Sequence, residues 1–325
     1  MRAVVHQEFG EPSSVLEVAD VPIPEPGPGE VRLRVLLAPI HNHDLWTVRG
    51  SYGFKPELPA RAGTELVGVV DALGEGVTGI EVGQRVATGG AFGAWAEYVV
   101  TKAAGLIPVG DELPDEVAAQ LVSMPFSAIA LLESLGLESG DWMIQNAANG
   151  AVGRMVAQLA AARGINVIGL VRRDAGITEL KEEGIGNIVS TESDGWAERV
   201  TELTGGAPIK AGVDSVGGSA AGDVLAQLGD GGTLVAFGAM NSPQLELSSG
   251  DLIFKQAVVR GFWGSVVART MPADQQRVLF GELIQRAGDG SLTLPVEATY
   301  PFEEVRAAAA ANFEPGRRGK ILLRP

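Results

Sequence analysis

The sequence predicts an α/β protein with a β-rich domain and a doubly wound parallel sheet. Short β-branched runs such as VRLRVLLAPI, ELVGVVDALG and AWAEYVV alternate with glycine- and proline-rich turns throughout residues 1–117. That spacing is typical of a compact barrel or sandwich. From residue 118 to 260, apolar runs alternate instead with helical patterns. Strands that alternate with helices indicate right-handed βαβ units and a parallel sheet.

The strand-like runs of the second region are apolar along their whole length. WMIQNAA, INVIGLV, AGVDSVG and GTLVAFG are separated by helical patterns such as VGRMVAQLAAARG and AAGDVLAQLG. Strands of this kind are covered on both faces, as in a parallel sheet between two layers of helices. Residues 261–325 add one helix pattern, ADQQRVLFGELIQRAG, and end in the strand-like GKILLRP.

Composition excludes several classes of function. The chain has 325 residues, no cysteine and a net charge of −15. Without cysteine it has no disulfide, no cysteine-ligated zinc, no iron–sulfur cluster and no thiol nucleophile. The negative charge argues against nucleic acid or an anionic membrane as a partner. We see neither the apolar core of a signal peptide nor a membrane-spanning run, and we expect a cytoplasmic protein.

A glycine-containing turn follows the strand predicted at residues 142–148 and precedes a helix. Gly150 allows a phosphate to approach the backbone, and Gly153 allows the helix to pack closely on the strand. The unsatisfied N–H groups at such a helix start bind phosphate. Ala147 stands where a full GxGxxG motif has its first glycine, so a βα turn without a ligand is the alternative. Together with the βαβ pattern, the turn predicts dinucleotide binding.

The residues after the next strand indicate which dinucleotide is bound. A carboxylate at this place would hydrogen-bond a ribose 2′-hydroxyl and favour NAD. Here the strand ends in VIGLVRRDAG, with Arg172 and Arg173 at that place. Arginine suits bidentate contact with the 2′-phosphate of NADP. The sequence therefore predicts NADPH, although Asp174 is an alternative acid and the arginines could be a solvated pair.

These features together resemble the medium-chain dehydrogenase/reductase superfamily over the whole chain, including the terminal GKILL strand. The resemblance implies a GroES-like catalytic domain at residues 1–117 and 261–325, and a Rossmann dinucleotide-binding domain at 118–260. The superfamily has zinc alcohol dehydrogenases and zinc-free reductases. In the zinc branch a cysteine occupies the position of His41 and a histidine that of Thr64. His41 and His43 would point in opposite directions on a strand, so we expect no metal.

Within the zinc-free branch, the sequence is most similar to 2-enoyl thioester reductases of the mitochondrial type. Three stretches carry this resemblance: DWMIQNAANGAVG, LIFKQAVVRGFW and GSYGFKPELPARAGTE. The last places the family's catalytic tyrosine on Tyr52. The resemblance also implies contacts with the cofactor along the whole nucleotide. The implied cofactor-binding residues are Asn149, Gly150, Ala151, Val152, Gly153, Arg172, Arg173, Asp174, Phe237, Gly238, Ala239, Met240, Phe262, Trp263, Gly264 and Lys320.

The expected substrate cleft contains His41, Asp44 and Met124. The family commonly has asparagine where this chain has His41 and Met124, so the substrate can differ from the family's fatty enoyl thioester. Asp44 is interpreted first as a residue that holds the cleft loop through backbone hydrogen bonds. His41 and His43 are interpreted as packing and hydrogen-bonding residues of the cleft floor.

The chemistry implied by the resemblance is reduction of a C=C bond next to a carbonyl. The cofactor supplies a hydride to the β-carbon. The carbonyl oxygen needs a hydrogen-bond donor and the α-carbon needs a proton. A phenol can perform both tasks, which is the role expected of Tyr52. Packing of its ring on the nearby Pro56 and Pro59 turn is the alternative.

Two other functions stay open at this point. The first is a quinone or small-enone oxidoreductase on the same scaffold, and the second is a protein that binds NADPH without catalysis. The family resemblance also implies a homodimer that pairs through a sheet edge. The segment ELSSGDLIFKQAVVRGF contains a candidate edge strand for this contact.

Overall fold

The computed structural model describes every residue from Met1 to Pro325, and the chain divides into two compact units. Unit 1 contains Met1–Met124 and Thr293–Pro325, and unit 2 contains Pro125–Leu292. Residues 261–292, which we expected in the first domain, therefore belong to the second.

Side-chain contacts within unit 2 explain this correction to the second boundary. The ring of Phe280 stacks on Phe126 with centroids 4.9 Å apart. Glu282 forms an ion pair with Arg163 at 2.7 Å. The helix pattern ADQQRVLFGELIQRAG therefore packs on unit 2, which its amphipathic sequence alone did not indicate.

The elements follow one another in three groups. The first group consists of β1 (Arg2–His6), α1 (Pro12–Val15), β2 (Glu17–Asp20), β3 (Glu30–Pro39), α2 (Asn42–Arg49), β4 (Ala60–Arg61), β5 (Leu66–Leu73), β6 (Arg85–Thr88), β7 (Tyr98–Lys102), β8 (Ile107–Pro108) and α3 (Asp115–Ala118). The second group consists of α4 (Ser123–Leu135), β9 (Trp142–Gln145), α5 (Ala151–Ala162), β10 (Asn166–Val171), α6 (Ala175–Glu182), β11 (Ile188–Ser190), α7 (Trp196–Thr204), β12 (Ile209–Asp214), α8 (Ser219–Ala226), β13 (Thr233–Ala236), α9 (Ser249–Phe254), β14 (Val258–Gly261), α10 (Gly264–Thr270) and α11 (Ala273–Asp289). The third group consists of β15 (Val296–Pro301), α12 (Val305–Ala311) and β16 (Lys320–Arg324). None of the helices combines the length and the hydropathy that a membrane span requires.

Unit 1 is built from two β-sheets. A seven-stranded sheet has the order β15-β16-β3-β5-β6-β8, with β7 also paired to β3, and a three-stranded sheet has the order β2-β1-β4. Its core includes Leu33, Leu66, Trp95 and Phe302, all fully buried. The indole N–H of Trp95 donates to the carbonyl of Pro39 at 3.1 Å. The predicted β-rich domain is confirmed, and Trp95 is a core residue.

Unit 2 has a six-stranded, fully parallel sheet with the order β11-β10-β9-β12-β13-β14. The strand order reverses between β9 and β12, and ligands bind at the carboxyl ends of the strands at such a switch point. The predicted doubly wound sheet is confirmed. β14 lies at one edge, as the sequence predicted for this segment.

Candidate active site

The turn after β9 leaves a helix start open to a ligand. Its backbone turns at Ala147, whose φ of 49° lies in the left-handed region, and the N–H of Gly150 donates to the carbonyl of Ala147 at 2.8 Å. The N–H groups of Ala151, Val152 and Gly153 then find no acceptor within the protein. A Cβ at Gly153 would lie 2.7 Å from the carbonyl oxygen of Ala147, so the close helix start needs glycine. A phosphate fits these donors.

Arg154 fixes the shape of this turn and is not among the residues predicted from the sequence. Its side chain is buried, and its guanidinium donates to the carbonyl of Asn149. The same group forms ion pairs with Glu179 and, at 2.8 Å, Glu183. The only signal in the sequence is one arginine in an otherwise apolar helix start. Arg154 thereby ties the phosphate turn to α6.

Side-chain hydrogen bonds link the ends of β9 and β12 at the switch point. The amide of Asn146 donates to Asp214 Oδ1 at 2.5 Å and accepts from the N–H of Ser215 at 2.8 Å. Asp214 is fully buried and also accepts from the N–H groups of Val216 and Gly217. Asp214 therefore shapes the turn after its strand.

The predicted adenosine end lies after β10, at the same edge of the parallel sheet. Arg172 and Arg173 are exposed, and their guanidinium groups make no hydrogen bond or ion pair within the protein. Asp174 is the residue before α6, and its N–H donates to Glu192 at 3.0 Å. The two free guanidinium groups fit a 2′-phosphate, because both keep their full set of donors.

The residues after β13 and β14 continue the same edge. The N–H groups of Phe237 and Gly238 donate to the carbonyl of Asp214, which holds residues 237–240, including Ala239 and Met240, beside the end of β12. Phe262 stacks on Phe237 with ring centroids 5.8 Å apart.

An open cavity of about 470 Å³ follows these residues. It is lined by Phe262 and by Trp263, which is 45% exposed. Gly264 begins α10 against Ser127, where a Cβ would collide with the serine hydroxyl. Unit 2 therefore offers open N–H donors at the start of α5 and an open cavity lined in part by Phe262 and Trp263. These residues fit a dinucleotide.

Unit 1 contains a buried series of three titratable side chains. Lys320 Nζ lies 3.0 Å from His41 Nδ1 and donates to the carbonyl of Ile40 at 3.3 Å. His41 Nε2 lies 2.5 Å from Glu65 Oε2. The other oxygen, Glu65 Oε1, accepts from the N–H groups of Val122 and Ser123 at 2.7 and 2.9 Å. We call these three side chains the Lys320–His41–Glu65 chain.

Burial governs the protonation of this chain. It raises the pKa of Glu65 to about 7 and lowers the pKa of Lys320 to about 8, the latter with help from the charge of Arg317. Burial, and then the charge of Lys320, lowers the pKa of His41 well below its ordinary value. A neutral imidazole therefore lies between the ammonium group of Lys320 and the carboxyl group of Glu65. The predicted contact of Lys320 with the cofactor stays a prediction.

A second set of hydrogen bonds surrounds Asp44. The backbone N–H of His41 donates to Asp44 Oδ2 at 2.9 Å, and the hydroxyl of Thr64 donates to Oδ1 at 2.8 Å. His43 Nε2 lies 2.8 Å from the Thr64 hydroxyl oxygen. Asp44 thus holds the start of α2, as expected from backbone hydrogen bonding.

The expectation that His41 and His43 lie on a strand is wrong. His41 is the residue before α2, and His43 is the second residue of that helix. Their rings lie on the same side and stack with centroids 4.9 Å apart, because the chain turns between them. The structure shows no group of three or more His, Asp or Glu side chains arranged to hold a metal ion.

Tyr52 lies just beyond the other end of α2. The helix ends at Gly50, whose φ of 72° needs glycine, and the N–H of Tyr52 donates to the carbonyl of Trp46 at 3.2 Å. The Tyr52 ring lies 5.8 Å from the ring of His43, centroid to centroid. Met124 is the second residue of α4 and is partly exposed. Unit 1 therefore brings Tyr52, Asp44 and His41 to one short helix.

Both units of the chain are similar to known families and proteins. A model described as an alcohol dehydrogenase GroES-like domain matches residues 27–111, and one described as a zinc-binding dehydrogenase matches residues 151–278. The mitochondrial enoyl-acyl-carrier-protein reductase of Arabidopsis thaliana is 36% identical over 329 residues, which cover 99% of this chain and 88% of that protein. A mycobacterial quinone oxidoreductase structure is 30% identical with a TM-score of 0.87 over 100% of both chains. A mycobacterial structure in complex with NADPH matches with the same values.

The GroES-like sheet, the Rossmann sheet and these matches define the class. The chain belongs to the medium-chain dehydrogenase/reductase superfamily, and the predicted resemblance is confirmed. Within that superfamily, it is an oxidoreductase related to mitochondrial enoyl-acyl-carrier-protein reductases and to quinone oxidoreductases.

Proposed function

We propose that this protein reduces C=C bonds conjugated to a carbonyl, with NADPH as the hydride donor. The substrate class we propose is the trans-2-enoyl thioester of coenzyme A or of acyl carrier protein. The observation that carries the proposal is the placement of the Tyr52 phenol at the end of α2, whose other end is held by Asp44 and the Lys320–His41–Glu65 chain. The relationship to the enoyl reductases supports the substrate class.

In this proposal the residues of unit 2 bind and orient the cofactor. The N–H groups at the start of α5 hold the pyrophosphate, and Arg172 and Arg173 hold the 2′-phosphate. Residues 237–240 would lie beneath the cofactor, and Phe262 to Gly264 would border the nicotinamide. Bound NADPH supplies a hydride to the β-carbon of the substrate.

Tyr52 acts at the other reacting atoms. Its hydroxyl donates a hydrogen bond to the carbonyl oxygen, where negative charge develops as the β-carbon takes up the hydride. The same hydroxyl is the proton source for the α-carbon. Conjugation with the carbonyl already makes the β-carbon electrophilic, so this reaction requires no Lewis acid.

Substitution of Tyr52 tests the proposal. Tyr52→Phe keeps the ring and removes the donor, and we expect kcat on crotonyl-CoA to fall about 10²-fold or more. Tyr98→Phe is the matched control, because Tyr98 lies on β7 and has no role in the proposed chemistry. An unchanged kcat in Tyr52→Phe, with a rate-limiting chemical step, would reject the role of the phenol.

A quinone or small-enone substrate is the second candidate, favoured by the likeness to a mycobacterial quinone oxidoreductase. Parallel assays with crotonyl-CoA, 1,4-benzoquinone and 2-cyclohexenone separate the two candidates. NADPH binding without turnover of any of the three would instead support the non-catalytic alternative.

We also propose a homodimer that pairs through β14. This strand is the edge of the parallel sheet. Val258 on the strand is 52% exposed, and the nearby Phe254 is 85% exposed. Light scattering coupled to size exclusion tests the dimer. A cytoplasmic location is our proposal for the compartment, consistent with the absence of cysteine and tested by cell fractionation.

A further inference from the structure

His43 is a histidine that the proposed mechanism does not use. Its Nε2 lies 2.8 Å from the hydroxyl oxygen of Thr64, and that hydroxyl lies 2.8 Å from Asp44 Oδ1. Asp44 is buried, with 2% of its surface exposed, whereas the His43 side chain is 21% exposed. The imidazole therefore connects a buried carboxylate to a place that solvent reaches.

The direction of the hydrogen bonds fixes which nitrogen of His43 carries the proton. Asp44 accepts from the backbone N–H of His41 at 2.9 Å and acts as a carboxylate, which can only accept. The proton of the Thr64 hydroxyl therefore points to Asp44. The oxygen of Thr64 then accepts from His43 Nε2–H, and His43 Nδ1 makes no hydrogen bond within the protein.

The groups around His43 hold its ring beside Tyr52. The imidazole of His41 stacks on one side with an interplanar angle of 17°, and the Tyr52 ring lies 5.8 Å away. From its own helix Asp44 faces it at 3.5 Å. The titratable and charged groups that face His43 directly or through His41 are Asp44, His41, Tyr52, Glu65 and Lys320.

We propose that His43 is a positioning residue for Tyr52 that returns a proton to its phenol after each turnover. This inference rests on the proposed function. The Tyr52 O–H bond breaks when its proton goes to the α-carbon of the reduced substrate. The phenolate oxygen then takes a proton from Nδ1–H of the His43 imidazolium, directly or through one water molecule. The imidazole regains that proton from solvent at its exposed edge, so the relay is redox-neutral.

Asp44 and Thr64 serve this relay by holding the imidazole. The hydrogen bond at Nε2 fixes the ring and keeps Nδ1 available, as the partner of one ring nitrogen does in other histidine sites. Asp44 in turn fixes the Thr64 hydroxyl, whose hydrogen bond it accepts at 2.8 Å. Loss of the Thr64 hydroxyl would release both constraints at once.

The first test replaces His43 with glutamine, whose amide can still donate to Thr64 but cannot relay a proton. We expect kcat on crotonyl-CoA to fall about tenfold or more, and the solvent deuterium isotope effect on kcat to rise. KM for NADPH should change by less than about twofold, because cofactor binding is untouched. Added imidazole should restore part of kcat in His43→Ala and none in Tyr52→Phe. His6→Gln is the control, because it removes an imidazole outside this cluster.

A second pair of variants keeps the imidazole and should respond even where His43→Gln fails to fold. Thr64→Val removes the hydroxyl and should lower kcat in the same direction, whereas Thr64→Ser keeps the hydroxyl and should restore it. Wild-type kcat and isotope effect in His43→Gln or Thr64→Val, with Tyr52→Phe still impaired, overturn the relay alone. A wild-type protein that turns over none of the three substrates overturns the proposed function, and the relay falls with it.

Discussion

Replacement of Lys320 by methionine tests whether the Lys320–His41–Glu65 chain stabilises unit 1. Methionine keeps an unbranched side chain of similar length and removes the ammonium group. The ammonium donates to two buried acceptors, the carbonyl of Ile40 at 3.3 Å and His41 Nδ1 at 3.0 Å. Each acceptor left without a donor costs about 1–3 kcal/mol. The buried carboxylate of Glu65 also loses its counter-charge.

We therefore expect Lys320→Met to lower the free energy of unfolding by about 3–5 kcal/mol, the range for removing one partner of a buried ion pair. Glu65→Gln in the same chain removes the orphaned charge. The double variant should then be less destabilised than the sum of the two single variants, with a coupling of about 1–3 kcal/mol. Lys102→Met, at an exposed lysine of the same unit, should change stability by less than about 0.5 kcal/mol.

Urea unfolding followed by circular dichroism measures the free energy of unfolding of these four variants and of the wild-type protein. If Lys320→Met lowers the free energy of unfolding by less than about 1 kcal/mol, water must replace the ammonium group as the donor to its two buried acceptors. Additive effects of the two single substitutions would mean that the imidazole does not couple the ammonium to the carboxylate. Either result would refute the charge-balanced chain.

Three further predictions concern the turn, the pH dependence and the cofactor. Ala147→Gly should raise the free energy of unfolding by about 1 kcal/mol, measured as an increase in Tm, because a φ of 49° strains alanine and not glycine. The pKa of Glu65 is raised from 4.5 to about 7, so between these pH values the folded protein holds a proton that the unfolded protein has lost. The free energy of unfolding should therefore fall by about 3 kcal/mol as pH rises through that window. The pKa of Lys320 is lowered to about 8 from 10.5, so stability rises again between those values, and in urea titrations at several pH values Glu65→Gln should remove only the first slope. Replacing Arg172 and Arg173 together by alanine should raise KM for NADPH about tenfold or more and leave KM for NADH nearly unchanged in steady-state assays, because only NADPH carries the 2′-phosphate.

The parallel sheet could be predicted because its signal is local. Each apolar run and each intervening helix pattern lies within a few residues of the next, and the right-handed crossover then leaves few arrangements. The phosphate turn is readable for the same reason, since Gly150 and Gly153 stand at a fixed distance from the strand. The boundary near residue 261 was wrong because α11 is amphipathic, and its pattern does not say which unit receives its apolar face.

The site in unit 1 could be predicted only in part. Tyr52 was predicted from a stretch that resembles a family, and Asp44 from its place in the expected cleft. The placement of His41 and His43 on a strand was wrong. On a strand, the side chains of two residues separated by one position point to opposite faces. The chain begins a helix here instead, and the two rings stack. Lys320 and His41 are 279 positions apart in the sequence, so no local pattern could pair them.

The Lys320–His41–Glu65 chain and the Tyr52 phenol lie at opposite ends of one short helix. His41 precedes α2; its imidazole contacts Lys320 and Glu65, and its backbone N–H donates to Asp44. Tyr52 follows two residues after Gly50, at the other end of the helix. Eight residues of helix are too few to be stable alone, so tertiary contacts at its ends must fix it. A rearrangement of the Lys320–His41–Glu65 chain would therefore move the start of α2, and with it the phenol that we propose as the proton donor.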